Sequence, residues 1–343
     1  MSAAQTLVDA WYRPRLTLLS TLLLPLAALY GAVVTLRRWM YRVGVFRVHR
    51  LPVPVVVVGN LTVGGGGKTP TVRALANALA IHGHRPGIVS RGYGGSAAAP
   101  RAVSRDDDPG LVGDEPLILA TAGHPVFVGR DRVAAAHALL NAHPDCTVLL
   151  ADDGLQHYAL GRNVDVALID SARRFGNGFL LPAGPLREPA GRLADMDAVV
   201  SMVPFDAPFP ASQAGGRDTA VTLVPLAFRN VKDYALTTGP ERFRHGSGPD
   251  ASQVHAVAGT ANPQRFFASL KALGIVAIEH PFPDHHRFRA EDLDFPGATA
   301  IVMTEKDAVK CREIADARSW YLPVEARLDP AFVARVVTLI GGR

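Results

Sequence analysis

The chain has 343 residues, 48% of them hydrophobic and 20% charged, enough for two ordinary domains or one large domain with an appendage. That composition excludes disorder, and two distant cysteines, Cys146 and Cys311, argue against a disulfide framework or structural zinc and fit a reducing cytosol. The net charge of +5 favours anionic partners, but arginine is spread along the chain with no basic tail or aromatic-interleaved patch, so nucleic acid is not an expected partner.

The first expected element is apolar. Leu16 to Leu36 reads LTLLSTLLLPLAALYGAVVTL, with no internal charge and with Arg15, Arg37 and Arg38 at its borders. About 20 apolar residues suffice to span a bilayer. Pro25 and Gly31 are expected to kink such a helix, and basic flanks at both ends give no orientation. No small-residue cleavage site follows, which argues against a removed signal peptide. The segment reads as membrane-associated, whether peripheral, monotopic or single-pass, with a helix or helical hairpin packed on the body as the other reading.

From Val53 onward, brief apolar runs alternate with helical patterns. Pro54 to Val58, then GIVS, PVFV, TVLLA, VDVALI and AVVSMV, have the continuous apolarity of strands buried on both faces. Helices are expected over Thr71 to His82 and Arg130 to Ala142. This is the βαβ rhythm of an α/β domain with a mainly parallel sheet and helices on both faces. Pro204 to Thr219 is rich in Pro, Gly, Ala and Ser and reads as a linker. A second, smaller α/β pattern follows: VHAVAG, a helix capped by Asn262 and Pro263, then IVAIEH and AIVMT. DPAFVARVVTLIGG is a last capped helix, expected to pack back on the first domain. The expected division is therefore 1–45, 46–217, 218–318 and 319–343.

The strongest chemical signal is VVVVGNLTVGGGGKTPTVRALANAL. A buried strand enters a glycine-rich turn (Thr62, Val63, Gly64, Gly65, Gly66, Gly67), and then Lys68 and Thr69 open a helix. Such a turn aims backbone N–H groups at phosphate oxygens, and the helix N-terminus adds a favourable dipole. Lys68 is placed to neutralise the β- and γ-phosphates of ATP, and the Thr69 hydroxyl to ligate Mg2+. The standard P-loop spacing asks for glycine where this chain has Thr62. An ordinary glycine-rich turn accounts for the glycines but not for GKT at the helix start.

TVLLADDGLQH ends an apolar strand in Asp152 and Asp153, the form of a Walker B segment. Two turn-forming aspartates are the plainer reading, and the residues leave open which carboxylate would hold the metal.

GNLTVGGGGKTP, SRGYGG (Ser90 to Gly95), GDEP (Gly113 to Pro116), DDGLQH, PAGPLREP (Pro182 to Pro189), FPDHH (Phe282 to His286) and MTEKDAVK (Met303 to Lys310) occur in this order. With the apolar N-terminus, they resemble the tetraacyldisaccharide 4'-kinase family over almost the whole chain. The resemblance implies transfer of the ATP γ-phosphoryl group to the 4'-hydroxyl of an acylated glucosamine disaccharide 1-phosphate, giving lipid IVA at the cytoplasmic face of an inner membrane. It implies membrane lipids as neighbours and an aspartate–histidine catalytic dyad, which by motif falls on Asp114 and on His285, with His286 the alternative by one residue. The family's central P-loop position is usually polar, whereas this chain has Gly66.

Physical reasons stand beside the resemblance. A sugar hydroxyl is a poor nucleophile at neutral pH, so a positioned base should take its proton. The plainer readings are a helix N-cap for Asp114 and a surface loop for His285. Arg187 and Glu188 lie in a proline-bracketed loop, where Arg187 is placed either for a transition-state phosphate or for a structural ion pair. Arg91 has the same option toward the acceptor's 1-phosphate, His157 of DDGLQH is a further candidate, and Lys306 faces either the site or solvent. Asp114 and His285 are expected from different domains, so that closure would assemble the site.

The rival is a membrane-associated P-loop regulatory ATPase with no small acceptor, although Val63 stands where such proteins often carry lysine. A membrane scaffold with a vestigial loop is a third. ATP consumption that requires a lipid acceptor separates the first reading from both.

Overall fold

The computed structural model describes residues 3–13, 15–64, 67–205, 217–244 and 253–342. Gly65, Gly66 and most of the expected linker lie outside the described residues.

Helices α1 (Ala3–Trp11), α2 (Leu18–Leu22) and α3 (Leu24–Arg42) precede the first strand. The apolar segment is therefore two helices. The break falls at Leu23 because Pro25, which has no N–H to donate, sits in the first turn of α3. Helix α3 runs unbroken through Gly31, which allows close packing, since a Cβ there would lie 2.7 Å from Leu180. No helix among the described residues is long and apolar enough to cross a membrane. Leu18, Leu22, Leu26, Leu29, Val33 and Leu36 recur at helical spacing and are all exposed, so one apolar stripe is left uncovered.

In chain order come β1 (Val55–Asn60), α4 (Lys68–Ile81), β2 (Pro86–Ser90), β3 (Arg101–Ala102), α5 (Pro109–Val112), α6 (Asp114–Ala120), β4 (Val126–Val128), α7 (Arg132–Ala142), β5 (Val148–Asp152), β6 (Val164–Asp170), β7 (Ala198–Val203) and β8 (Asp218–Pro225). They are followed by β9 (Phe228–Asn230), β10 (Thr237–Thr238), β11 (Gln253–Ala258), α8 (Pro263–Ala272), β12 (Ile278–Pro281), β13 (Ala298–Thr304), α9 (Glu305–Cys311), β14 (Ser319–Leu322), β15 (Val324–Leu328) and α10 (Pro330–Gly341).

The larger sheet has the order β15-β8-β7-β6-β1-β5-β2-β4-β3, parallel except at its two outermost pairings. The four valines of β1 face two cores in alternation: Val56 and Val58 pack with α4 and α10, Val55 and Val57 with α7. Apolarity on every position is what a strand covered on both sides requires. The smaller sheet has the order β10-β9-β14-β13-β11-β12.

Strand β8 pairs parallel to β7, so the chain leaves the larger sheet only after Pro225 and returns through β15. The Pro-, Gly-, Ala- and Ser-rich stretch Pro204 to Thr219 reads as a linker and puts a new start at 218, but strand pairing is non-local and invisible in composition. Phe332, Val336 and Ile340 of α10 bury into the first core, each burial contributing roughly 1.5–3 kcal/mol. Asn262 stands at the N-cap of α8 without a side-chain capping bond.

Strands β5 and β6 flank β1, and the chain winds outward from it both ways. That switch point leaves a crevice at the carboxyl ends of the strands, where the glycine-rich turn, Asp152 and Ser90 all emerge.

Candidate active site

The turn after β1 is stitched to the proline-bracketed loop. Thr62 bridges Leu186, the Val63 N–H donates to the Pro185 carbonyl at 2.8 Å, and the Arg187 N–H donates to Leu61 at 2.7 Å. The Val63 amide is thereby used by the scaffold. Gly67 has φ 71°, and a Cβ there would lie 2.2 Å from Met202, so only glycine fits at this helix entry. Lys68 is 6% exposed; its Nζ donates to the Gly64 carbonyl at 3.3 Å and lies 3.8 Å from Asp153. Thr69 is buried beside it.

Asp153 is gripped by cations. Arg187 Nη1 donates to both of its oxygens at 2.9 Å, and Arg132, a buried residue that the sequence did not single out, donates to its carbonyl at 2.8 Å. Burial alone would raise its pKa, but Lys68 and Arg187 hold it below the usual carboxylate range. Its backbone is left-handed at φ 50°. Asp152 is different: it is buried, and neither oxygen has a hydrogen-bond partner. Burial and the nearby Glu115 charge push its pKa up to about 7, against the pull of Lys68. A buried carboxylate with two unpartnered oxygens, beside a threonine hydroxyl at a P-loop, is a donor set that fits Mg2+. That ion commonly takes one or two protein carboxylates and completes its shell with phosphate and water.

The second half of the constellation comes from both sheets. Gly113, φ 91°, turns the chain into α6, and a Cβ on it would lie 2.6 Å from the Tyr93 carbonyl. Gly113, not Asp114, occupies the N-cap, so Asp114 is the first helical residue; its Oδ1 accepts the Glu115 N–H at 3.0 Å. Its Oδ2 lies 3.1 Å from His285 Nδ1. His286 Nε2 pairs with Asp292 Oδ2 at 3.0 Å instead, which separates the two histidines by geometry. His285 also has a left-handed backbone, φ 59°, and the Tyr93 ring lies 4.8 Å from its own.

Lys306 faces this cluster and not solvent. Its Nζ lies 3.0 Å from Asp284, 3.4 Å from Glu115, 3.9 Å from Asp114 Oδ2 and 3.3 Å from His285 Nε2. Burial would depress its pKa, but Glu115, Asp114 and Asp284 raise it, so it stays charged. An ammonium cannot accept, so Lys306 donates to Nε2, and a neutral His285 then carries its proton on Nδ1 and donates to Asp114. For Asp114, burial raises the pKa, while the His285 hydrogen bond and the Lys306 charge outweigh it and leave it lowered.

The remaining candidates are scattered. Glu188 is buried away from the phosphate loop, accepting from the Tyr158 hydroxyl and lying 3.6 Å from Arg192. His157 is pushed down to about 4 by burial and then by the Arg132 charge, and its Nε2 is unpartnered. Arg91 is exposed. Arg132 and Tyr93 went unmarked; Arg132 follows the N-cap Asp131 in GRDR, and nothing in the sequence brings that helix start to Asp153.

The family model described as tetraacyldisaccharide-1-P 4'-kinase matches residues 19–341. The tetraacyldisaccharide 4'-kinase of Alkalilimnicola ehrlichii is 55% identical over 315 residues, covering 90% of this chain and 88% of that one. That of Nitrosococcus oceani is 49% identical over 321 residues, covering 93% and 90%. The crystal structure of LpxK from Aquifex aeolicus in complex with ATP superposes with a TM-score of 0.75 at 27% identity, covering 94% of this chain and 100% of that one.

Proposed function

The chain belongs to the tetraacyldisaccharide-1-P 4'-kinase family and phosphorylates the lipid A precursor at its 4'-hydroxyl with ATP, and from that premise we propose how its residues divide the work. The acceptor is tetraacyldisaccharide 1-phosphate, and the product is lipid IVA. The Asp114–His285 pair accepts the proton of the attacking hydroxyl. The observation that carries this is the 3.1 Å contact between Asp114 Oδ2 and His285 Nδ1, one at the start of α6 beside the larger sheet and the other in the loop after β12 of the smaller one.

Lys68 and the amides of the glycine-rich turn hold the β- and γ-phosphates. Asp152 and Thr69 would hold Mg2+, which when bound supplies positive charge to the phosphate oxygens. Asp153 keeps Lys68 and Arg187 aimed into the crevice, where Arg187 has a guanidinium edge to offer the transferring group. Asp114 supplies the negative charge of the base, and His285, the more exposed partner, steadies it and shares the proton as the hydroxyl attacks. Lys306 keeps Asp114 ionised and fixes the histidine tautomer. Arg91, exposed at the mouth, is available to the 1-phosphate. His157 stays neutral at pH 7 and acts through packing beside Arg132.

The two sheets act as lobes whose approach assembles the dyad and excludes water. The exposed stripe of α2 and α3 lies in the surface of the inner membrane and holds the crevice next to its lipid acceptor. The test is transfer from radiolabelled ATP to the disaccharide acceptor by wild type, Asp114→Ala and His285→Ala. Loss of transfer with ATP binding retained supports the dyad; normal transfer by Asp114→Ala removes it.

A further inference from the structure

At the end of α3 away from the crevice, a cavity of about 370 Å³ opens between the helix and the body. Arg38, Arg42, Arg50, Arg162 and Arg192 line it, against two acids, Asp165 and Asp195. A single carboxylate, Asp195, is shared by Arg38, Arg42 and Arg192, and Asp165 by Arg162 and Arg192. Arg192 also lies 3.6 Å from the buried Glu188, so five guanidinium groups meet three carboxylates and still leave a net positive concavity. Arg42 and Arg50 are exposed, whereas Arg192 is buried and fixed. The Arg37 guanidinium lies over the rings of Tyr41 and Tyr158, which form one wall.

The rim is apolar. Trp39, Val43, Val45, Phe46 and Val48 are all exposed, and Val48 lines the cavity itself. They continue the uncovered stripe that begins at Leu18. A basic hollow behind an exposed apolar and aromatic rim matches the border between headgroups and acyl chains. We propose that this cavity binds the phosphodiester headgroup of an anionic membrane lipid that is not the acceptor.

Two arguments separate this site from the catalytic crevice. The Tyr30 hydroxyl donates to the Arg187 carbonyl beside the phosphate loop, and Arg42 follows three helical turns later, about 18 Å along the axis. The cavity also flanks the starts of β6 and β7, at Asp165 and just before Ala198, whereas the crevice lies at the strand ends. The bound headgroup would anchor the trailing end of α3 and set the angle at which the crevice meets the bilayer. The proposal rests on the membrane reading of α2 and α3, and its test keeps the two apart.

The full chain is floated with phosphatidylcholine vesicles, with and without phosphatidylglycerol. Binding to neutral vesicles reports the apolar stripe; the gain on adding phosphatidylglycerol reports the cavity. Each arginine near an anionic surface contributes about fivefold in binding, so Arg42→Gln with Arg50→Gln should lose about 25-fold of that gain and keep neutral binding. Arg15→Gln, at the other end of the stripe, should lose no more than about fivefold, the share of one surface arginine. A double variant with the full gain, or an Arg15→Gln variant that loses as much, overturns the site. A separate arm titrates soluble dihexanoyl phosphatidylglycerol and follows Trp39 fluorescence, since Trp11 and Trp320 are buried. Saturable quenching that the double variant lacks supports the cavity even if neutral vesicles do not bind, which would sink the stripe alone. Equal quenching by inorganic phosphate would make it a phosphate site and end the lipid assignment.

Discussion

Asp152 and Asp153 are neighbours at the end of β5 with opposite surroundings: Asp153 accepts two hydrogen bonds from Arg187 at 2.9 Å, and Asp152 accepts none. The backbone turns left-handed at Asp153, whose carboxylate meets the cations, while Asp152 stays buried as the last residue of the strand. One carboxylate is paired with cations, and the other has no hydrogen-bond partner among the described residues.

Replacing Asp152 by Asn should stabilise the ligand-free protein. Burial and the Glu115 charge raise the folded-state pKa of Asp152 to about 7, against an unfolded value of about 4. The folded state then holds the proton more tightly, so wild type loses stability as pH rises through that window, and the loss is complete above it. The variant's advantage should be on the order of 2–4 kcal/mol at pH 8 and vanish near pH 4. Thermal melts across pH measure it. Adding magnesium with a non-hydrolysable ATP analogue should reverse the ranking at pH 8. An Asn variant no more stable than wild type at pH 8 would remove the unpartnered-carboxylate account.

Asp114→Ala and His285→Ala should each lower kcat by about 10²–10⁴-fold, the range for a lost general base. The pair touches through one hydrogen bond, so the double variant should be little worse than the poorer single one. Steady-state transfer rates with a separate nucleotide-binding titration measure this. Additive losses would mean that the two residues act in independent steps.

Much of this was legible in the sequence because the signals are local. The valine run of β1, the glycines, and Lys68 with Thr69 together determine a strand, a turn and a helix start within one stretch. Asp152 and Asp153 could be located but not told apart, because the difference lies in Arg187 and Lys68, brought in from distant segments. Lys306 was poised between site and solvent for the same reason: its three acidic neighbours come from α6 and from the loop before His285. The return of the last segment to the first domain was expected, but strands β8 and β15 went unmarked because an antiparallel edge pair carries no composition of its own. Glu188 was drawn to the site by a motif whose backbone, not its acid, reaches the phosphate loop.

Lys306→Met should move the acidic limb of the kcat/KM profile to higher pH. Burial raises the Asp114 pKa, and the His285 hydrogen bond and then the Lys306 charge pull it below the ordinary value. Without the ammonium, Asp114 keeps its proton to higher pH, and the base is lost earlier as pH falls. The stability linked to Asp114 has the same sign: it is present above the unfolded pKa and lost as pH falls through the depressed one. Lys306→Arg should restore most of the profile. An acidic limb unmoved in the Met variant would show that the titrating base is not Asp114.

Closure can be tested at Ala261, in the loop between β11 and α8. A Cβ on Gly64 would lie 3.5 Å from the Ala261 Cβ, so the second lobe touches the phosphate loop there. Arg173 donates to the Ala261 carbonyl at 3.2 Å, and Arg265 pairs with Asp170 at 3.3 Å, holding the same edge together. Ala261→Trp inserts a wedge into this seam without altering Asp114, His285 or Lys68. Held apart, the lobes cannot bring His285 to Asp114, so transfer to the lipid should fall at least about tenfold, since small misplacements of catalytic groups are costly. Nucleotide affinity should fall much less, because Lys68 and the glycine-rich turn belong to one lobe. Water then reaches the crevice, so hydrolysis of ATP without acceptor should rise relative to transfer. Parallel assays of transfer, acceptor-free hydrolysis and nucleotide binding distinguish these effects, and a wedge variant with full transfer would show that the two lobes need not meet.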